Sequence, residues 1–272
     1  MKYIKSNYLV VSDYNWLPNN LKDSWVEKYS DNYTVFDKFH RYEVSDNVIH
    51  QKNVGQNIYD MLDFIINNYE KLPDVTIFCR SCIMFPKGRP KPYSNGNCSE
   101  EVFLKLVNNQ IFTELHDFGS EVHNGYSSKM DIDGGFLERN NSWYFGCIKS
   151  RYFINLNDFF NDIFVNPEIS EFIRFSPGAS YVIPKENILK YEKYFYIRLR
   201  EYVSWDIIIA EAHMLERALY TIFKNNFQIK NKYKKDQGLF LHLDHFKKRI
   251  YVFLVRMYFR FRLETTKLIK TK

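Results

Sequence analysis

Apolar residues fall into two periodicities along the chain. Tyr8-Leu-Val-Val-Ser12 is a short apolar run that opens into Asp13, Tyr14 and Asn15, as expected of a strand whose carboxyl end leads into a loop. Residues 20–30 then read as a helix, Tyr33-Thr-Val-Phe36 as a second strand closed by Asp37, and Val48-Ile49-His50 as a third. From Gln56 the pattern changes: Ile58, Met61, Leu62, Ile65, Ile66 and Tyr69 recur at helical spacing until Leu72-Pro73-Asp74 stops them, and a buried strand, Val75 to Cys79, follows at once. This succession predicts an α/β fold with a mostly parallel sheet flanked by helices.

The remainder is less regular. Residues 83–130 hold Pro86, Gly88, Pro90, Pro92 and Gly96 and only a weak helix from Glu100 to Asn109, so long loops are expected there. Strand-like pieces surround Trp143-Tyr-Phe, Ala179 to Ile183 forms another strand before Pro184, and residues 185–227 read as helical with a break near Ser204-Trp-Asp206.

Composition narrows the class. With 45% hydrophobic residues in 272, the chain can bury a sizeable core, which excludes disorder as its overall state. Charge divides it: residues 224–272 hold 14 Lys/Arg against 3 Asp/Glu, leaving 24 basic and 29 acidic groups in the rest. We therefore expect a domain over 1–224 and a basic extension over 225–272. In that extension Phe246, Ile250, Phe253, Leu254, Met257 and Phe261 line one helical face, with Arg249, Arg256 and Arg260 on another. Either the apolar stripe packs on the domain or the helix meets an anionic membrane peripherally. No apolar run reaches the ~18–20 residues of a spanning helix. A cytoplasmic location is expected, since the N-terminus lacks a basic-then-apolar leader and the cysteines do not form a secreted framework. Cys79-Arg-Ser-Cys82 has the spacing of a zinc or redox pair but no second pair follows it.

Parallel sheets place ligands beyond the carboxyl ends of their strands. Here those ends carry Asp13/Asn15, Asp37, Asn53/Gly55 and Arg80/Ser81. Asn53-Val-Gly55 precedes a helix N-terminus, where free amides favour an anion such as a diphosphate, although a plain turn has the same signature. Asp131-Ile-Asp133-Gly-Gly could hold Mg²⁺ or Mn²⁺, or simply close a turn. On a late helix, His213 and Glu216 share a face at i, i+3 while Glu211 lies roughly 140° away; a carboxylate beside a histidine suits general-base work, and a mixed-charge surface helix is the other reading.

Five blocks carry a family resemblance: Tyr8-Leu-Val-Val-Ser-Asp-Tyr-Asn-Trp-Leu17, Lys52-Asn-Val-Gly-Gln56, Tyr69-Glu-Lys-Leu-Pro-Asp-Val-Thr-Ile-Phe78, Ser176-Pro-Gly-Ala-Ser-Tyr-Val-Ile-Pro-Lys-Glu-Asn-Ile188 and Glu216-Arg-Ala-Leu-Tyr-Thr-Ile-Phe223. In this order they resemble domain of unknown function 3431, a family of fungi, bacteria and large viruses that looks like a divergent GT-A-type glycosyltransferase. The resemblance implies a nucleotide-sugar donor (UDP- or GDP-sugar) and a glycan, glycolipid or glycoprotein acceptor, lipid-linked if the basic extension meets a membrane. Nucleic acid is not expected as a partner. Asp13, Asn15 and Asp37 would lie near the nucleoside, Asn53 and Gly55 under the diphosphate, and Glu216 would activate the acceptor. One departure stands out: the strand Val75 to Phe78 leads into Cys79-Arg80-Ser81, where a metal-dependent enzyme of that fold would carry Asp-x-Asp. Arg80 then replaces the metal's charge, or Asp131/Asp133 supplies it, or catalysis has been lost. The other functional reading is a non-catalytic glycan- or nucleotide-binding module.

Overall fold

The computed structural model describes residues 2–84, 98–116, 128–141, 148–225, 227–230, 232–233 and 235. The strand-like pieces around Trp143, most of the proline- and glycine-bearing loop and the basic amphipathic segment 244–263 lie outside them.

A six-stranded sheet forms the centre: β1 (Tyr8–Asp13), β2 (Tyr33–Asp37), β3 (Val48–His50), β4 (Val75–Arg80), β5 (Thr113–Glu114) and a late strand, Tyr181–Pro184. Short antiparallel strands β6 (Ser128–Met130), β7 (Phe136–Arg139) and β8 (Phe172–Arg174) make a second sheet, so the late strand is β9. The main sheet runs in the order β3-β2-β1-β4-β9-β5. Its first four strands are parallel, whereas β9 is antiparallel to β4 and to β5. The sheet is therefore mixed: five strands run one way, as the expected parallel majority, and β9 runs against them. Strand pairing cannot be read from one strand's periodicity, which is why β9 looked like any other buried strand.

Two helical layers cover the sheet. On one face lie α2 (Gln56–Asn68), α4 (Leu156–Ile163), the single turn α5 (Lys185–Ile188) after β9, α6 (Lys193–Val203) and α7 (Ala210–Lys224); on the other lie α1 (Trp25–Tyr29) and α3 (Glu100–Leu106). The pleat sorts the strands accordingly. Val10, Phe36 and Phe78 join the core with Ile58, Leu62, Leu199 and Leu215, while Leu9, Val11, Val35, Ile77 and Cys79 join Val26, Tyr29 and Phe103. Burial on both sides explains why these strands read as continuous apolar runs.

Beyond α7 the chain stays on the domain for a short distance. Val165 N donates to Gln228 O at 2.8 Å, Lys230 N to Ile163 O at 3.0 Å, and Phe227 packs on Phe164. Among the described residues no helix is long and apolar enough to cross a membrane.

Candidate functional site

After β1 the chain proceeds through β2 and β3 on one side of it and returns to β4 on the other. In doubly wound sheets such a reversal marks the crevice, beyond the carboxyl ends of the two strands that flank it (here β1 and β4), where ligands bind. The strand-end residues reach this crevice on two different faces, because successive side chains alternate.

On the α1/α3 face sit Asp13 and Asp37, register partners at the ends of β1 and β2, both fully buried. Asp13 Oδ1 accepts from the amides of Trp16 (3.0 Å) and Leu17 (3.2 Å), and Oδ2 pairs with Arg41 Nη2. Asp37 accepts from the amides of Phe39 (3.0 Å), Arg41 (2.5 Å) and Tyr42 (2.9 Å). Both carboxylates therefore tie down the loops that follow their strands, with Arg41 bound to each of them. Asn15 follows Asp13, exposed and left-handed at φ 66°.

The α2 face is built differently. Ser12 and Arg80 are register partners there, and Lys38, one residue past β2, points the same way, with its side chain fully buried. Lys38 Nζ pairs with Asp60 on α2 and donates to Lys52 O at 2.9 Å. Burial pushes Asp60 up to about 7 even against the pull of Lys38. Tyr14 closes the group: its hydroxyl is buried without a hydrogen-bond partner, burial with nearby Asp60 pushes its pKa up, and Lys38 Nζ lies 5.9 Å from its ring. Asp60 Oδ2, Asn53 Oδ1 and Ser81 Oγ are also buried without a partner. Such atoms are uncommon in folded proteins and mark a place where a ligand or water completes the bonding. Tyr14, Lys38 and Asp60 escaped sequence reasoning. Lys38 and Asp60 are 22 residues apart, and an Asp on the buried side of a helix carries no motif.

The segment Ser176-Pro-Gly-Ala-Ser180 joins this group to α7. Gly178 has φ +83°, and a Cβ there would lie 2.5 Å from Arg80 Nη2, so the guanidinium occupies the space a side chain would fill. Gly178 O accepts from Asn57 Nδ2 in the first turn of α2 at 2.8 Å, and Gly178 N donates to Glu216 Oε1. Glu216 Oε2 in turn receives Arg217 Nη1 at 3.2 Å and lies 3.7 Å from His213 Nδ1, as the i, i+3 spacing implied. Burial opposes ionisation of Glu216, yet His213, Arg217 and the Gly178 amide together hold its pKa down to about 2. Thus Arg80, the start of α2, His213 and Glu216 meet at one glycine.

Other expected residues are placed elsewhere or otherwise. Gly55 is the left-handed cap of α2, packed so closely on α6 that a Cβ would collide with the Val203 carbonyl oxygen; its amide donates to Asp206 O at 2.9 Å. Contact with α6 accounts for that glycine. Glu211 is fully buried and accepts from Ser150 Oγ (2.7 Å), Arg151 N (2.6 Å) and Tyr152 N (2.8 Å), which anchors residues 150–152 to α7.

Asp131 and Asp133 lie in the turn between β6 and β7. Their carboxylates accept from Ile132 N (2.9 Å) and Gly135 N (3.0 Å) and pair with Arg174 Nη1 at 3.3 and 2.8 Å, while Arg174 also grips Glu114. The Gly135 amide and Arg174 hold Asp133 below the usual carboxylate range. An arginine thus already takes the place between these two acids that a divalent cation would need. Among the described residues no group of three or more His, Cys, Asp or Glu is arranged to hold a metal ion. The Cys79-x-x-Cys82 pair consists of free thiols, and burial pushes the Cys79 thiol strongly up, away from redox or metal chemistry.

These features define an α/β protein with polar side chains gathered at the switch point of its sheet. The chain belongs to the family described as "Protein of unknown function (DUF3431)", whose model matches residues 9–237. No curated protein and no solved structure matches it.

Proposed function

We propose that the chain is a glycosyltransferase with a GT-A-like donor crevice, moving a sugar from a UDP- or GDP-sugar to a hydroxyl of a glycan, glycolipid or glycoprotein. The observation that carries this reading is the meeting of Arg80, the first turn of α2 and the His213/Glu216 pair at Gly178. A helix N-terminus and a guanidinium favour the diphosphate on one side of that glycine, and an acid–base pair stands on the other.

The roles follow from the chemistry of each group. An acceptor oxygen attacks the anomeric carbon as the bond from that carbon to the diphosphate oxygen breaks, and the acceptor proton leaves to a base. Glu216, held to about 2, is ionised but too weak a base to take that proton efficiently near neutrality. His213, with 20% of its side chain exposed, is the better acceptor of the proton, and Glu216 orients it. Arg80 stabilises the charge gathering on the leaving diphosphate.

A non-catalytic nucleotide- or glycan-binding module is the second reading, favoured by the engagement of Asp13, Asp37, Glu211 and Glu216 in structural bonds. Incubation with radiolabelled UDP- and GDP-sugars and an oligosaccharide panel separates the two. Transfer or donor hydrolysis that falls by about 10²-fold or more in His213→Ala supports the enzyme. Donor binding without turnover supports the module, and the absence of binding removes both.

A further inference from the structure

We infer that the crevice binds the diphosphate of its donor through protein groups alone, without a bridging divalent cation, with Arg80, the Tyr14 hydroxyl and the first-turn amides of α2 as the contacts. This rests on the nucleotide-sugar reading above and adds what balances the donor's charge.

Among the described residues the carboxylates near the strand ends are engaged by protein groups, with one oxygen of Asp60 left over. Asp13 and Asp37 are saturated by loop amides and Arg41, Asp131 and Asp133 by their own turn and Arg174, and Asp60 faces Lys38. A cation bridging protein and diphosphate needs oxygen ligands from the protein; recruiting Asp13 or Asp60 would strip Arg41 or Lys38 of its partner, and recruiting Asp37, Asp131 or Asp133 would take it from the loop amides it holds.

The groups that do converge are donors. Arg80 ends the central strand β4 and carries a planar guanidinium, a shape matched to phosphate oxygens. Gly178 leaves room for that group and fixes it beside Asn57, in the first turn of the 13-residue helix α2, whose leading amides have no carbonyl within the helix to bond. The buried, unpartnered Tyr14 hydroxyl lies near enough to both Asp60 and Arg80 to feel their charges. Lys38 cancels the charge of Asp60 next to it, so the acid does not repel an incoming anion. Arg80 and Tyr14 are thus assigned as direct contacts, and Lys38 and Gly178 as positioning residues.

The test is calorimetric titration of the full-length protein with UDP, GDP and inorganic pyrophosphate, each in EDTA and in Mn²⁺. A nucleoside diphosphate should bind about equally in both, Arg80→Met should weaken it about tenfold or more, and Arg80→Lys should recover part of the loss. Tyr14→Phe, which keeps the ring, should cost a few-fold (~3–10). Circular dichroism and melting of each variant show that it is folded. Binding that appears only with Mn²⁺, or is indifferent to Arg80→Met, overturns the inference while leaving the nucleotide-sugar reading intact. No binding of any of the three in either buffer overturns both.

Discussion

The guanidinium of Arg80 lies in the space that a side chain on Gly178 would occupy. The residues are almost a hundred positions apart, yet the charge at the end of the central strand depends on the missing Cβ of the other. Gly178 is also held from both sides, by Asn57 through its carbonyl and by Glu216 through its amide.

Gly178→Ala is therefore expected to act twice. The left-handed φ and the collision with Arg80 should lower stability by about 1–3 kcal/mol, read from urea denaturation, and displacement of the guanidinium should weaken nucleoside diphosphate binding. A variant of unchanged stability and binding would show that Arg80 has another place to go.

The Glu216 carboxylate should leave a trace in acid stability. Its folded pKa of about 2 lies below the ordinary 4.5, so the unfolded chain takes up its proton first. The resulting stabilisation is complete above about pH 4.5 and disappears as pH falls towards 2, with an upper bound of about 3 kcal/mol. Denaturation midpoints from pH 6 to 2 for the wild type and Glu216→Gln should converge at the acid end. Parallel curves would mean that the charge contributes nothing.

Asp13→Ala should be a folding defect before it is a binding defect. It leaves two loop amides and a partly buried arginine without their acceptor, a loss of about 3–5 kcal/mol. Arg41→Met should be similarly costly, since Asp13 is buried. An Asp13→Ala protein that melts like the wild type but has lost nucleotide affinity would return Asp13 to a contact role.

Lys38 and Asp60 form a pair whose members should fail separately and tolerate joint removal. Lys38→Met alone leaves a buried carboxylate, and Asp60→Leu alone a buried ammonium; each should cost about 3–5 kcal/mol, and the double variant markedly less than their sum. Additive losses in a denaturation cycle would show that the two do not act as a unit.

Much of the fold was legible in the sequence because the signal was local. The runs from Tyr8, Tyr33, Val48 and Val75 became β1 to β4, and the helical spacing from Gln56 became α2, since a strand buried on both faces and a helix with one apolar stripe each write their pattern into consecutive residues. The break expected near Ser204 separates α6 from α7. By contrast, α4, β6 and β8 went unread: β6 (Ser-Lys-Met) and β8 (Phe-Ile-Arg) carry charged residues within three positions and form no apolar run, and α4 is only two turns long. The site was named in part, through Arg80, Asn53, His213 and Glu216, from the ends of elements. Sequence alone determined which polar residues stand at those ends. Which of them face one another was decided only by the tertiary structure: the pleat sends Asp13 and Asp37 to one side and Ser12 and Arg80 to the other, and the layer packed on each side sets the partners. Arg41 therefore satisfies Asp13, because burial leaves a charge no stable place except beside a partner, and Gly178, brought from far along the chain, leaves the room that the Arg80 guanidinium fills.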